Sequence, residues 1–315
     1  MRPLALTPGD PGGVGPEVTV KALIARRDAA VVVVGDWPAV SAEAVRHGLP
    51  VTRVQAWPAA LGEAVPVLDP GDEVEPVEVA AIRVAVAACL DGSARGLVTG
   101  PIHKARLAAR GFPHPGHTDF LGVLCRVSDP VMAFAGGKLM VALVTVHLPL
   151  RAVPDAVTTE RVLHTIRTAD EALREQVGLV RPRLVVCGLN PHAGDQGLLG
   201  TEDRDVIAPA VAAAREEGVE AVGPVSAEAA FLAAAGGQAD LVVAMYHDQG
   251  LAPLKLVDFG RSVNWTLGLP IVRTSVDHGT ADDIAGQGRA DPGSMLAALA
   301  WAERLTDRTA RPAGG

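Results

Sequence analysis

Aromatic side chains are nearly missing from this sequence, at 3% of the chain with a single tyrosine. Ala, Val and Leu must therefore fill most of the core that a hydrophobic fraction of 49% can build. Cysteine is equally sparse: Cys89, Cys125 and Cys187 are odd in number, widely spaced and set among apolar residues. That pattern excludes a disulfide framework or a zinc knuckle and predicts buried, reduced thiols. Basic charge is in deficit, with a formal net charge of −8. Nucleic acid and anionic membranes select basic faces, so neither is expected as a partner, although local basic clusters can still hold a small anion. No stretch reaches the roughly 18 uninterrupted apolar residues of a membrane span, and the apolar part of MRPLALTPGD is too short for a signal peptide. A cytoplasmic protein is expected. Internal repeats and low-complexity linkers are also missing, and 315 residues allow about two domains at roughly 150 residues each.

What is present alternates. LALTPGDPGGVGPEVTVKALIARR reads as a strand, a glycine loop and a helix with Pro16 near its first position. The loop is neither a Walker loop nor a clean GxGxxG, and both a tight structural turn and a ligand-facing loop fit it. VVVVGD predicts a buried strand and 38–47 a helix, whereas 58–76, rich in Pro, Gly and acid, reads as a surface connection. VEVAAIRVAVAACLDG is long enough for a helix, and GLVTGPIHKARL gives a strand with polar residues at its exit. The segment 131–147 predicts a hairpin split at Gly136 and Gly137, followed by an amphipathic helix capped at Thr158 or Thr159. His164 lies in that helix and reads as a surface or packing residue. A strand at 183–190, helices from about Glu202 and over AEAAFLAAAGG, a strand beginning LVVAM and a closing helix SMLAALAWAERL complete an α/β pattern with largely parallel strands.

Three histidines follow strand-like runs: LMVALVTVH ends on His147, RLVVCGLNPH places His192 just past its run, and LVVAMYHDQG carries His247. Polar residues at the ends of buried strands mark site candidates in α/β folds, and together they suggest a shared divalent metal site. Three imidazoles suit zinc, cobalt or nickel better than magnesium, which prefers oxygen. A second set is basic, with Lys255, Arg261 and Arg273 in mostly apolar or glycine-rich surroundings and Asn264 among them, which points to a phosphate or carboxylate ligand. GFPHPGHTDFL adds His114, His117, Thr118 and Asp119, more polar groups than a plain turn needs. SVDHGTADDIAGQG, with Gly279, Gly286, Gly288, Asp277, Asp282 and Asp283, reads as a nucleotide or metal loop.

Taken in order, GDPGGVGPE, GPIHK, GHTDFL, HLPLR, NPHAGDQG, YHDQGLAPLK and TLGLPIVRTSVDHGTADDIAG resemble the 4-hydroxythreonine-4-phosphate dehydrogenase (PdxA) family from about residue 5 to 300. The first and last also resemble motifs of isocitrate and isopropylmalate dehydrogenases. The resemblance implies a two-domain α/β/α fold with the active site in the cleft between domains: 1–130 with 280–315 as a first, discontinuous domain, and 131–279 as a second carrying much of the metal site and dimer interface. It implies NAD- or NADP-dependent oxidation of 4-phosphohydroxy-L-threonine at C3, then decarboxylation to 3-amino-2-oxopropyl phosphate, in pyridoxal 5'-phosphate biosynthesis. One divalent ion per site, zinc, cobalt or magnesium, is implied on His147, His192 and His247, in a homodimer that shares its active sites. Substrate-binding positions fall on His117, Thr118, Lys255, Asn264 and Arg273, with Lys255 and His117 as catalytic candidates. The cofactor's adenine end maps onto His278, Gly279, Thr280, Ala281 and Asp283.

Four residues depart from the usual family pattern: Asp119 and Asp195 replace Glu, Glu228 replaces Asp, and Asp282 stands where an apolar residue is common. None is a proposed metal ligand. They leave open a paralogous activity on D-threonate or D-erythronate 4-phosphate, or on an aromatic cis-dihydrodiol. Asp248 is expected as a carboxylate partner to an imidazole.

Overall fold

The structure is a computed structural model that describes residues 2–71, 75–114, 116–258 and 260–309. Among them twelve strands run in chain order: β1 Leu4–Thr7, β2 Val31–Val34, β3 Val51–Val54, β4 Val65–Leu68, β5 Leu97–Thr99, β6 Val131–Ala135, β7 Met140–Leu143, β8 Arg183–Cys187, β9 Glu220–Val225, β10 Leu241–Ala244, β11 Val263–Leu267 and β12 Arg273–Ser275. Contacts divide the chain into two units. The first runs to Pro130 and resumes at Leu269, and the second spans Val131–Gly268.

In the first unit the strand order is β3-β4-β2-β1-β5-β12, parallel throughout. Its inner strands β1, β2 and β5 are buried along their length and rich in Val and Leu, as a parallel sheet covered on both faces requires. Helix Val77–Leu90 packs there, Ile82 and Ala85 meeting Val32, Val34 and Leu97 in one core. The chain re-enters this unit at Leu269, earlier than the expected residue 280, because Leu269 and Ile271 join that core and β12 pairs in parallel with β5. The surface connection expected at 58–76 also needs correction. It contains β4, seated between β3 and β2 with Val67 fully buried. Four residues flanked by Pro and Gly are too short to show a period, so only pairing with neighbouring strands reveals the element.

The glycine loop is a packing device. A Cβ on Gly15 would lie 2.0 Å from the Pro8 carbonyl oxygen, and one on Gly9, whose φ is +87°, 2.0 Å from that of Pro101. Two backbone segments therefore approach more closely than any side chain permits. Gly15→Ala is expected to lower stability by about 3 kcal/mol, read as a fall in the urea midpoint at unchanged m-value.

In the second unit the order is β11-β6-β7-β10-β8-β9, antiparallel from β11 to β7 and parallel from there on. Phe134, Val141, Leu143, Val185, Phe231, Val242 and Leu254 build its core. The β6–β7 hairpin turns at Gly136, where buried Asp258 fills the space a side chain would need and accepts from the Lys138 N–H. Cys187 is buried, whereas Cys89 and Cys125 are half-buried rather than buried. Burial pushes the thiols of Cys89 and Cys187 up to about 12, which leaves them protonated and inert. Among the described residues no helix is long and apolar enough to cross a membrane.

Candidate functional site

β7, β10 and β8 lie side by side in parallel, so their C-terminal ends open on one edge of the second unit. His147, His247 and His192 follow those three ends. Cross-links lace the ends together. Thr145, just before His147, donates its hydroxyl to the Met245 carbonyl at 2.7 Å, and its own N–H reaches the same oxygen at 3.1 Å. Gln249 spans the other side: its Oε1 accepts from the Met245 N–H at 2.6 Å, and its Nε2 donates to the Gly188 carbonyl at 2.7 Å. One amide side chain thus ties the exit of β10 to the exit of β8.

His147 and His247 come together, with ring centroids 5.6 Å apart. His247 opens the helix His247–Asp258, and its Nδ1 lies 2.8 Å from the Asp248 carboxylate, the partnership expected for Asp248. An ionised carboxylate can only accept, so that bond places a proton on Nδ1. His192 stands apart. Among the described residues no third His, Cys, Asp or Glu joins the pair in a metal-binding group. It sits instead on a turn whose backbone is left-handed from His192 through Gln196.

The first unit carries a different chemistry. Arg273 on β12 is 2% exposed and donates from Nη2 to the Thr99 hydroxyl at 2.6 Å and toward His117 Nδ1 at 3.4 Å. Burial lowers its pKa to about 9, still cationic at neutral pH. His117 begins the helix His117–Cys125, and its Nε2 is sealed from solvent and has no hydrogen-bond partner among the described residues. Burial first, then the charges of Arg273 and Lys104, hold its pKa well below the usual imidazole range. A neutral ring that accepts at Nδ1 carries its proton on Nε2. The site therefore offers a buried guanidinium and a neutral imidazole N–H, with Lys104 nearby, and this set suits an anionic oxygen.

A pH dependence follows from the lowered pKa. Below about 6.5 the unfolded chain takes up a proton that folded His117 refuses, so stability falls with pH at a slope approaching about 1.4 kcal/mol per unit. Urea midpoints between about pH 7.5 and pH 5.5 should therefore decline less in His117→Asn than in the unmodified chain.

The loop from His278 to Asp283 packs on the glycine loop. The Thr280 carbonyl accepts from the Val14 N–H at 2.9 Å, and Thr280 fills the space beside Gly13. Asp282 forks with Arg106 at 2.7 and 3.1 Å, and Arg106 also reaches buried Asp10 at 2.8 Å. The carboxylate that departs from the family pattern thus pins this loop to the helix Lys104–Ala109. Asp195 has a comparable local reason: at φ 41° it occupies a left-handed backbone, which short Asp tolerates better than Glu.

The sequence profile of the pyridoxal phosphate biosynthetic protein PdxA matches residues 25–302. The chain belongs to the PdxA family. It is 44% identical over 327 residues to a 4-hydroxythreonine-4-phosphate dehydrogenase of Caulobacter vibrioides, covering 98% of each chain. The crystal structure of a 4-hydroxythreonine-4-phosphate dehydrogenase from Klebsiella pneumoniae superposes with a TM-score of 0.87 at 38% identity, covering 97% of this chain and 100% of that one. A terephthalate 1,2-cis-dihydrodiol dehydrogenase from Burkholderia xenovorans LB400 gives a TM-score of 0.67 at 28% identity, over 97% and 98%. The two-unit α/β architecture is accordingly that of PdxA proteins.

Within this PdxA chain, His117, Thr118 and Arg273 lie in the first unit with the His278–Asp283 loop, while Lys255 and Asn264 lie in the second with the three histidines. Lys255 is half-buried on the helix that His247 opens, and Asn264 half-buried on β11. The sequence alone assigns no role to Lys104, Thr145 or Gln249. Lys104 and Gln249 stand inside the quoted motifs GPIHK and YHDQG, which was the available signal.

Proposed function

We propose that this chain oxidises 4-phosphohydroxy-L-threonine at C3 with NAD or NADP and a divalent ion. The 3-oxo acid then loses CO2 to give 3-amino-2-oxopropyl phosphate on the route to pyridoxal 5'-phosphate, in the cytoplasm. The observation that carries the reading is the paired His147 and His247, 5.6 Å apart at adjacent strand ends, in a chain 44% identical along its length to a dehydrogenase of that name.

The donor set fits a divalent ion of the zinc or cobalt type, with His147 and His247 from one chain and His192 from a second copy. What such an ion supplies when bound is Lewis acidity, for ionising the alcohol and for the charge that develops as CO2 leaves. Support for the second copy comes from the segments that carry the histidines. Leu148 and Leu150 beside His147, Leu198 and Leu199 after His192, and Leu256 and Val257 on the His247 helix are all exposed. Exposed apolar side chains on each of these segments suit an interface. A homodimer covers them and completes the trio.

The remaining residues bind and orient. Arg273 and Lys255 hold the phosphate and carboxylate charges, and the His117 Nε2–H with the Thr118 hydroxyl fixes a polar end, while Asn264 adds a neutral contact. His278, Gly279, Thr280, Ala281 and Asp283 receive the adenine end of the dinucleotide. Lys255 and His117 are the chain's candidates for proton movement. His117 enters as a neutral N–H donor rather than as an imidazolium, because burial first, and then the charges of Arg273 and Lys104, disfavour the protonated ring.

The test identifies the product. Carboxyl-labelled 4-phosphohydroxy-L-threonine with protein, NAD or NADP and Zn2+ or Co2+ should release labelled CO2 and leave 3-amino-2-oxopropyl phosphate in the mass spectrum. Reduced cofactor without CO2 release would contradict this reading.

A further inference from the structure

We propose that Asp203 is the positioning residue of His192: its buried carboxylate fixes the left-handed turn that presents this imidazole, and so sets metal affinity without touching metal. The inference rests on the reading of His192 as a ligand.

Asp203 is 1% exposed and takes three hydrogen bonds from the chain just before the turn. Oδ1 accepts from the Leu189 N–H at 2.8 Å, and Oδ2 accepts from the Asn190 N–H at 3.1 Å and the Asn190 side-chain amide at 2.9 Å. That amide also reaches Glu202 at 2.8 Å. The turn that follows needs such anchoring. His192, Ala193, Asp195 and Gln196 have φ of 55°, 51°, 41° and 56°, and a left-handed conformation disfavours each non-glycine residue by about 1–2 kcal/mol. The surroundings also leave no room to relax. A Cβ on Gly188 would fall 2.4 Å from Asp203 Oδ1 and 2.8 Å from the Ala193 Cα.

An acceptor-only carboxylate is the group this geometry needs, because three N–H donors converge on two oxygens. Asn at 203 keeps one acceptor and turns an NH2 toward backbone N–H, so at least one buried donor is stranded. The turn would then lose its anchor, and His192 its fixed direction. Sequence spacing cannot show this, since Asp203 lies eleven residues beyond His192, on the far side of the loop.

The test is a titration of metal-stripped, full-length protein with Co2+, followed by the visible absorption of the bound ion, for the unmodified chain, Asp203→Asn, Asn190→Ala and His192→Ala. Supporters of the fold alone would lower the unfolding midpoint and leave the cobalt affinity of the folded protein unchanged. Asp203→Asn is expected to weaken cobalt binding by about 10–100-fold, the range typical of residues that orient ligands, with circular dichroism showing a folded chain. Asn190→Ala removes only one donor and should weaken binding less, and it decides the matter should Asp203→Asn not fold. Weak binding by His192→Ala together with unmodified affinity in Asp203→Asn, or in Asn190→Ala when that variant decides, overturns the proposal. Unmodified affinity in His192→Ala removes the ligand assignment itself, and the proposal with it.

Discussion

Arg273→Met is expected to lower kcat/KM by about 10²–10⁴-fold, the equivalent of the 3–5 kcal/mol by which removing one partner of a buried charge pair weakens it. Arg273 is 2% exposed, bonded to Thr99 and His117, and its burial already lowers its pKa to about 9. A cation held that deep is expensive in the free protein and is stabilised when an anionic substrate group arrives. Two readouts separate this role from a structural one. KM should carry most of the loss, since the charge is not consumed in the reaction. The circular dichroism of the free variant should still show a folded chain at the assay temperature, so that the loss is read from folded protein. Arg273→Lys should lose most of the activity as well, because a point charge cannot reproduce the planar fork that reaches Thr99 and His117 together. A loss below about tenfold would remove Arg273 from the anion site.

The second large effect concerns the histidines. His192→Ala and His247→Ala are each expected to lose essentially all activity, and mixing the two inactive proteins under subunit exchange should restore it. A mixed dimer then carries one complete set, with His147 and His247 from one copy and His192 from the other. Random exchange makes half the dimers mixed, and one site in each is intact, which gives about one quarter of the unmodified rate. His147→Ala mixed with His247→Ala should stay inactive, because each copy damages its own pair. The reverse pattern would show that the trio is divided differently, and restoration by neither mixture would place all three ligands in one copy.

How much of this is legible in the sequence depends on the range of the forces involved. Buried parallel strands are continuous apolar runs, so the approach of His147, His192 and His247 to strand ends can be read from LMVAL, RLVVC and LVVA without any structure. Strands β3 and β4 cannot, because VTRV and VPVL are four residues each, flanked by Pro and Gly, and are strands only through neighbours far along the chain. The glycine loop shows its flexibility in sequence but not its reason, which is the carbonyls of Pro8 and Pro101 pressed against it. Handedness is equally hidden: nothing in NPHAGDQG announces four non-glycine residues at positive φ, since Asp203 stabilises that turn from outside it. Asp248 was legible because a carboxylate next to an imidazole can bond it locally, at 2.8 Å here. Gln249 was not, since its two bonds run to different strands.

Among the departures, Asp282 and Asp195 have local explanations, in the Arg106 fork and in the left-handed backbone. Asp119 and Glu228 lie in the first turns of their helices, where a negative charge is favourable whatever its length. None of the four supplies a reason for a different substrate.

The most direct measurement is the initial rate of nicotinamide reduction, followed by absorbance, for 4-phosphohydroxy-L-threonine beside D-threonate 4-phosphate, D-erythronate 4-phosphate and a terephthalate cis-dihydrodiol, each with NAD and with NADP and with metal present. The account predicts the highest kcat/KM for 4-phosphohydroxy-L-threonine and a rate lost with chelator and restored by Zn2+ or Co2+. Turnover of one of the other compounds with none of 4-phosphohydroxy-L-threonine, or a rate indifferent to chelator, would contradict it.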